Sequence, residues 1–395
     1  MKIGLLTHSL LPRGGVVHVL ELGRALHQRG HEVTIFAPAA SGQTLFRATP
    51  CRVSLAPCEA RGGDFAAQVR ARIDAMRSHL AALAGLDTFD VLHTHDGIGA
   101  NALADLVEAG RIAGYLRTVH HVDRFPDPQV QAWEERSIRA ATRVLCVSAV
   151  WQQRLLTVHG IEAQQVANGV DLERFTPQRD TQDDALEAAM HLGPRGARIL
   201  AVGGVEARKN TRRLLAAFIE LRKTRPEARL IVAGGASLLP HDAEARAFRE
   251  AAEAAGLAIG PGQAIVPTGP VPDAWMPALY RAADVVAMPS LVEGFGLAAL
   301  EGLACGTPVV VSAIAPFTEH FGEHDVAWAD PLQPSSIAAA LERALQRGRY
   351  HMAPPVCHRH AWPASAARHE ALYRDFIDSR DDTHARDALP AALAG

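Results

Sequence analysis

The 395-residue chain is long enough for two or three domains. It carries 40 Lys and Arg against 43 Asp and Glu, a formal net charge of -3, and so lacks the basic excess of a typical nucleic-acid-binding protein. A hydrophobic content of 48% and a charged content of 21% exclude a disordered or fibrous protein. The five cysteines form no Cys-x-x-Cys pair, which argues against a zinc ribbon or a disulfide framework and favours a reducing compartment.

Nothing in the sequence predicts a membrane span. The apolar run at residues 3–6 is too short for a signal peptide, and no later run approaches the length of a spanning helix. We therefore expect a cytoplasmic protein. Peripheral contact at the inner face of the membrane stays open, because Arg70, Arg72 and Arg77 lie off the apolar stripe of a predicted amphipathic helix that starts at Phe65. Their basic side is either a solvated face or a surface for acidic lipid or an anionic acceptor.

Short apolar strands alternate with helix-period stretches in two successive sets. The first set of predicted strands covers residues 2–7, 32–37, 52–56, 90–95, 116–120 and 143–148. The second set covers residues 198–203, 229–233, 264–268, 284–289 and 308–312. Near-continuous apolar strands are buried on both faces of a sheet, so these runs predict parallel strands joined by crossover helices. The alternation predicts two doubly wound α/β domains.

Composition predicts where these domains begin and end. The predicted parts are a first domain (1–175), a linker (176–196), a second domain (197–350), a C-terminal helix (362–378) and a flexible tail (379–395). The linker is assigned because the segment is polar and contains Pro177, Pro194 and the Asp183-Asp184 pair. The tail is assigned because its residues are polar and then alanine-rich.

A glycine pair follows the first strand of each set and precedes a helix. The pair is Gly14-Gly15 in the first set and Gly203-Gly204 in the second, where Arg208-Lys209 follows. Glycine lets backbone N–H groups approach an anion, and a helix N-terminus adds a positive dipole end. Neither loop matches the dinucleotide fingerprint or the P-loop. Phosphate binding and simple turn formation therefore both stay open for these loops.

Two carboxylates eight residues apart follow the predicted strand 284–289. Glu293 lies in a loop beside glycines, and Glu301 lies on the next helix, about one turn or roughly 6 Å beyond Leu297. A single carboxylate can accept hydrogen bonds from both hydroxyls of a vicinal diol, which suits Glu301 to a ribose. Glu293 would then reach the other substituent of a phosphate held at the helix N-terminus, such as a sugar. The alternative is a pair of surface glutamates near a strand end.

These residues resemble the retaining glycosyltransferases of the GT-B fold, in the large group-1 family (family 4). The Glu-x7-Glu signature of that family is similar to residues 293–301, and further similar segments are 93–96, 118–120, 168–171, 280–284 and 304–310. The resemblance extends from residue 2 to about 345. It implies two Rossmann-like doubly wound parallel-sheet domains facing a cleft, with the donor held mainly by the second domain and the acceptor by the first. It also implies that the C-terminal helix crosses back onto the first domain.

The resemblance implies a transfer of a sugar from a nucleoside-diphosphate sugar to an acceptor, with retention of anomeric configuration. The expected partners are small molecules, no cofactor or metal is expected, and a UDP-sugar is expected because it is the commonest donor of the family. The implied catalytic residues are His120, Lys209 and Glu293. The implied donor-binding residues are Gly14, Gly15, Arg208, Lys209, Gly294, Phe295, Gly296, Leu297 and Glu301. The residues expected to line the cleft or contact the acceptor are His18, His95 and His121.

The sequence departs from the family in two places. Gly204 stands where the family usually has Arg, so one cation is missing and Arg208 beside Lys209 is the available replacement. The first glycine loop is one residue shorter before His18 than the common pattern. Two other functions stay open: a sugar-nucleotide epimerase or hydrolase on the same fold, and a non-catalytic nucleotide-sugar binder, which Gly204 favours. A metal hydrolase built on the histidines is disfavoured, because no His-Glu-x-x-His motif is present.

Overall fold

A computed structural model describes residues 1–59, 62–193, 196–234 and 242–387, with side chains described up to residue 380. The chain divides into two compact units. Unit one comprises Met1–Asn168 and Trp362–Gly395, and unit two comprises Gly169–Ala361. Among the described residues, no helix combines the length and the apolar character that a membrane span requires.

The described residues of unit one form a parallel sheet of seven strands. Its strands are β1 (Lys2–Leu6), β2 (Glu32–Ala39), β3 (Arg52–Pro57), β4 (Val91–Thr94), β5 (Leu116–Val119), β6 (Arg143–Cys146) and β7 (Ala163–Gln165). They lie in the order β3-β2-β1-β4-β5-β6-β7. In register, Ile3 of β1 pairs with Val33 on one side and with Val91 on the other. The order changes direction between β1 and β4, which makes this the switch point where doubly wound folds bind ligands.

Helices cover the strands of unit one because each carries an apolar stripe. These helices are α1 (Gly14–Gln28), α2 (Phe65–Ala81), α3 (Gly97–Glu108), α4 (Pro128–Arg139) and α5 (Ala149–His159). In α2 the apolar residues recur every three or four positions, and Val69, Ile73, Met76 and Leu80 are buried.

Unit two repeats the architecture, with six strands among its described residues. Its strands are β8 (Arg198–Val202), β9 (Arg229–Ala233), β10 (Ile265–Gly269), β11 (Val285–Met288), β12 (Val309–Ser312) and β13 (Ala327–Ala329). They are parallel and lie in the order β10-β9-β8-β11-β12-β13, so the switch point falls between β8 and β11. Its helices are α6 (Thr181–Met190), α7 (Thr211–Leu221), α8 (Asp242–Ala254), α9 (Met276–Ala282), α10 (Leu297–Ala304), α11 (Phe317–His320), α12 (Pro334–Arg347) and α13 (Pro355–Arg359). The predicted pair of doubly wound parallel sheets is therefore confirmed.

The last helix, α14 (Trp362–Asp387), belongs to unit one and packs against α1. Its buried side chains include Trp362, His369 and Tyr373. The helix continues through residues 379–387, where a flexible tail was predicted; residues 388–395 of that tail lie outside the described residues.

The predicted linker differs from the structure. Residues 181–190 form α6, and the boundary between the units lies at Asn168 and Gly169. The acidic pair that suggested a polar linker stabilises this helix instead: the Asp183 carboxylate joins a capping box with Asp180 and accepts a 2.6 Å bond from buried Arg281. Pro194, which also suggested a linker, lies outside the described residues.

Candidate active site

An ion pair connects the ends of β8 and β11 at the switch point of unit two. The Lys209 ammonium lies 2.5 Å from Glu293 Oε1, and Arg208 Nη1 lies 3.4 Å from Glu293 Oε2. Ser290 Oγ donates a 3.0 Å hydrogen bond to the same carboxylate. Burial opposes ionisation of Glu293, which is 7% exposed, but Lys209, Arg208 and these hydrogen bonds outweigh it and lower its pKa. The structure thus brings together three residues that the sequence assigned to the donor.

Asn210 fixes the loop that carries these cations. Its backbone is left-handed at φ 60°, and its buried side-chain amide donates hydrogen bonds to the carbonyls of Pro289 (2.9 Å) and Pro331 (2.6 Å). Gly203 also has a positive φ, and a Cβ there would lie 3.1 Å from Lys209 Cε. The glycine therefore leaves room for the lysine, and the asparagine ties the loop to the strand ends.

The start of α10 provides backbone donors beside Glu293. Gly296 adopts a φ of 98°, and a Cβ there would lie 2.5 Å from the Phe317 ring, so this position requires glycine. The helix begins at Leu297 with no side-chain cap among the described residues. Uncapped N–H groups at a helix N-terminus favour an anion. Gly294 lies in this loop, whereas the Phe295 ring is buried against His320, with ring centroids 4.2 Å apart.

Glu301 is held from the side by Tyr280. The Tyr280 hydroxyl donates a 2.7 Å hydrogen bond to Glu301 Oε2. Burial, and then the neighbouring Glu301 charge, raises the pKa of Tyr280 well above its usual value, so the hydroxyl keeps its proton. Sequence reasoning missed Tyr280 and Asn210 as site residues. Tyr280 lies 21 positions from its partner, and Asn210 was recognisable only as the neighbour of Lys209.

Histidines gather at the C-terminal edge of the unit-one sheet. The rings of His95 and His120 lie 4.7 and 4.8 Å from that of His18. His18 Nδ1 faces the Asn168 amide oxygen at 2.9 Å and therefore carries the proton. Burial lowers the pKa of His18 to about 3 and the pKa values of His95 and His120 well below their usual range. These imidazoles are neutral, and of the three only His120 is partly exposed.

The first glycine pair lies at this same edge. A Cβ on Gly15 would lie 3.7 Å from the His120 ring, whereas a Cβ on Gly14 would meet open space. His121, next to His120, pairs with Asp123 at 3.1 Å. The structure thus groups Gly15 with the His18–His95–His120 cluster and directs His121 to a different partner.

The three clustered histidines have the composition of a transition-metal site. Their available nitrogen atoms lie within 4.8 Å of one another. A zinc ion would hold each imidazole nitrogen at about 2.0–2.1 Å. Action without a metal stays a prediction from the sequence.

The basic side of α2 is largely engaged within unit one. The Arg70 guanidinium stacks over the Trp133 ring at 4.8 Å, and Arg77 contacts Asp74 (3.1 Å) and Asp105 (3.6 Å). Two of the three arginines that left a lipid surface open therefore have partners in the fold.

Comparison with known proteins agrees with this arrangement. Residues 12–174 match the family model described as Glycosyltransferase Family 4, and residues 188–354 match the model for Glycosyl transferases group 1. A D-inositol 3-phosphate glycosyltransferase from Xylanimonas cellulosilytica is 32% identical over 360 residues, which covers 81% of this chain and 82% of the relative. The chain is a group 1 glycosyltransferase.

Solved structures place this group 1 glycosyltransferase in the GT-B fold. Sucrose-phosphate synthase from Thermosynechococcus elongatus matches with a TM-score of 0.76 at 21% identity, over 96% of this chain and 99% of the other. Anabaena HepE in complex with UDP-glucose matches with a TM-score of 0.68 at 16% identity, over 98% and 100% of the two chains. The GT-B fold implied by the sequence is thereby confirmed.

Proposed function

We propose that this glycosyltransferase moves a sugar from a nucleoside-diphosphate sugar to an acceptor hydroxyl, with retention of anomeric configuration and without a metal ion. The observation that carries the proposal is the grouping of Arg208 and Lys209 with Glu293 beside the uncapped start of α10. Cations and backbone donors at one sheet edge are what a departing diphosphate requires.

In the proposed reaction, Lys209 and Arg208 stabilise the negative charge that develops on the leaving diphosphate. The N–H groups at Leu297 add to this stabilisation because they point along the helix axis toward the anion. Glu293 holds both cations in the free protein, at 2.5 and 3.4 Å, and is then available to hydroxyls of the donor sugar. Arg208 supplies the second cation that Gly204 cannot, which favours catalysis over simple binding.

Glu301 is proposed to bind the ribose. Tyr280 donates to one of its oxygens and so orients the carboxylate toward a vicinal diol. His120 is proposed to contact the transferred sugar as a neutral imidazole, since burial keeps its pKa well below the usual range. Retention follows if the acceptor attacks the face that the leaving group vacates. The C–O bond to phosphate breaks, the bond to the acceptor forms, and the acceptor proton passes to a phosphate oxygen.

Relatives suggest the substrates to test first. HepE was solved with UDP-glucose, which supports UDP as the donor nucleotide. The relative from Xylanimonas is named for D-inositol 3-phosphate, which makes a phosphorylated or free inositol the first acceptor to test. The five free cysteines, four of them buried, support a reducing, cytoplasmic setting for the reaction.

A ligand panel and a product analysis test this proposal. UDP, GDP, ADP and TDP are compared by thermal shift, because a ligand of the native state raises apparent stability with its concentration. Transfer from the corresponding sugar nucleotides is then followed by NMR of the anomeric proton, with and without EDTA. Retention, in EDTA, is the expected result. A product of inverted configuration refutes the mechanism, an epimer formed without acceptor supports the epimerase, and no thermal response to any nucleotide refutes the proposal.

A further inference from the structure

One carboxylate at the C-terminal edge of the unit-one sheet has no role in the reaction described above. Glu134 lies on α4, and its side chain extends over the start of α3 at the end of β4. A Cβ added to Gly97, the first residue of α3, would lie 3.0 Å from Glu134 Oε2. The carboxylate therefore lies at the switch point of the sheet, where ligands of doubly wound folds bind.

The Glu134 carboxylate is half-buried without a dedicated partner. Within the described ranges, no hydrogen bond and no ion pair engages its oxygens, and its neighbour Arg136 contacts Asp105 and Glu108 instead. Burial raises the pKa of Glu134, and the nearby charge of Arg117 opposes that shift. Because Glu134 is partly exposed, a ligand can reach its oxygens and supply the hydrogen bonds that they lack within the described fold.

Asp96, at the same edge, has contacts of its own within the fold. Asp96 Oδ1 accepts a 2.8 Å hydrogen bond from Gly99 N, and Asp96 Oδ2 lies 3.7 Å from His8 Nδ1. The charges of Asp96 and Asp123, together with that of His121, also act on Glu134. Two carboxylates beside Glu134 disfavour a phosphate there. An uncharged hydroxyl, which donates a hydrogen bond to a carboxylate, fits the position.

We propose that the Glu134 carboxylate binds a hydroxyl group of the acceptor. This inference rests on the proposed function, and it specifies that the part of the acceptor near α3 and α4 is an uncharged, hydroxyl-bearing group. A phosphate carried by the acceptor lies away from Glu134.

The test compares Glu134→Gln with Glu135→Gln, its exposed neighbour on the same helix. Gly97→Ala provides a second variant, because the added methyl crowds Glu134 Oε2 while the carboxylate stays in place. Each protein is assayed with UDP-glucose, UDP-N-acetylglucosamine, GDP-mannose or ADP-glucose as donor. The acceptors are myo-inositol, D-inositol 3-phosphate, glucose and glucose 6-phosphate. Release of nucleoside diphosphate is measured, and circular dichroism and the thermal midpoint report folding.

We expect Glu134→Gln to raise the acceptor KM by about tenfold or more, the loss typical of a hydrogen bond to a charged group. The donor KM and the kcat at saturating acceptor stay near those of the wild type. Gly97→Ala raises the acceptor KM less, and Glu135→Gln leaves it unchanged. Equal acceptor KM values for Glu134→Gln and Glu135→Gln overturn the inference, as does a loss confined to kcat. If the wild-type protein transfers sugar with none of these pairs, the proposed function and the inference fall together.

Discussion

The contact between Lys209 and Glu293 makes a quantitative prediction for stability. The pair is short, at 2.5 Å, and its side chains are 18% and 8% exposed. Removing one partner of a buried pair costs about 3–5 kcal/mol because a charge is left unpaired. Arg208 and Ser290 still contact Glu293 in Lys209→Met, so we expect a loss of about 2–3 kcal/mol in the free energy of unfolding.

Removing the other partner, Glu293, is expected to lower the free energy of unfolding by less. Glu293→Gln leaves Lys209 free to turn toward water, and we expect a loss of about 1 kcal/mol. In the double variant no buried charge is left unpaired, so its loss is smaller than the sum of the single losses. The expected coupling energy is about 2 kcal/mol.

Urea titrations followed by circular dichroism measure the four proteins of this cycle. Arg212→Met is the matched control, because Arg212 lies on α7 close in sequence, with a side chain that is 57% exposed and 3.9 Å from Glu244. Its effect should stay within about 0.5 kcal/mol. Additive losses for Lys209→Met and Glu293→Gln, within about 0.5 kcal/mol, would refute the reasoning, because independent sites behave in that way.

Three further predictions concern positioning and protonation. Asn210→Ala should destabilise the protein by about 1 kcal/mol more than Asn210→Gly. Both variants lose the two hydrogen bonds of the asparagine, but only alanine is strained at a φ of 60°. Equal losses in the free energy of unfolding, measured by urea titration, would contradict this prediction. Tyr280→Phe should raise the Kd of the nucleotide that the wild type binds, by about tenfold, and leave that of pyrophosphate unchanged, as calorimetry can show. Burial lowers the pKa of His369 from 6.5 to about 4, so its contribution is complete above pH 6.5 and is lost as pH falls toward 4. By pH 5 that loss is about 2 kcal/mol, so the fall in the free energy of unfolding between pH 7 and pH 5 should be about 2 kcal/mol smaller in His369→Gln than in the wild type.

The fold was predictable because its central strands are apolar and buried. Val285–Met288 is an example, and a parallel sheet is the arrangement that buries both faces of such a strand. The short strands β7 and β13 were missed, because three residues carry too little pattern. Helix α6, inside the predicted linker, was missed because a polar acidic pair is typical of both a linker and a helix start. The sequence shows that Asp183 is charged, but it does not show the buried partner Arg281, which lies 98 positions away.

The candidate site was predictable where its residues are close in sequence. Glu293 lies in the loop that precedes α10 and Glu301 lies on α10, so their spacing indicated a common ligand. The contacts that orient them were not predictable. Tyr280 reaches Glu301 only because α9 packs against α10. Lys209 reaches Glu293 only because β8 and β11 end at the same edge of the sheet. The sequence does not distinguish a half-buried glutamate such as Glu134 from an exposed glutamate on the same helix, because both occur among the same polar neighbours.

The return of α14 to unit one has a consequence for synthesis on the ribosome. Unit two is inserted between Asn168 and Trp362, so the first 168 residues leave the ribosome before the segment that completes their core. His18 shows the effect: it contacts Asn168, but its contacts with the Trp362 and His369 rings form only after unit two has been made. Unit two, a continuous segment, can fold first, and unit one reaches its final packing only after Trp362 and the residues of α14 have been made.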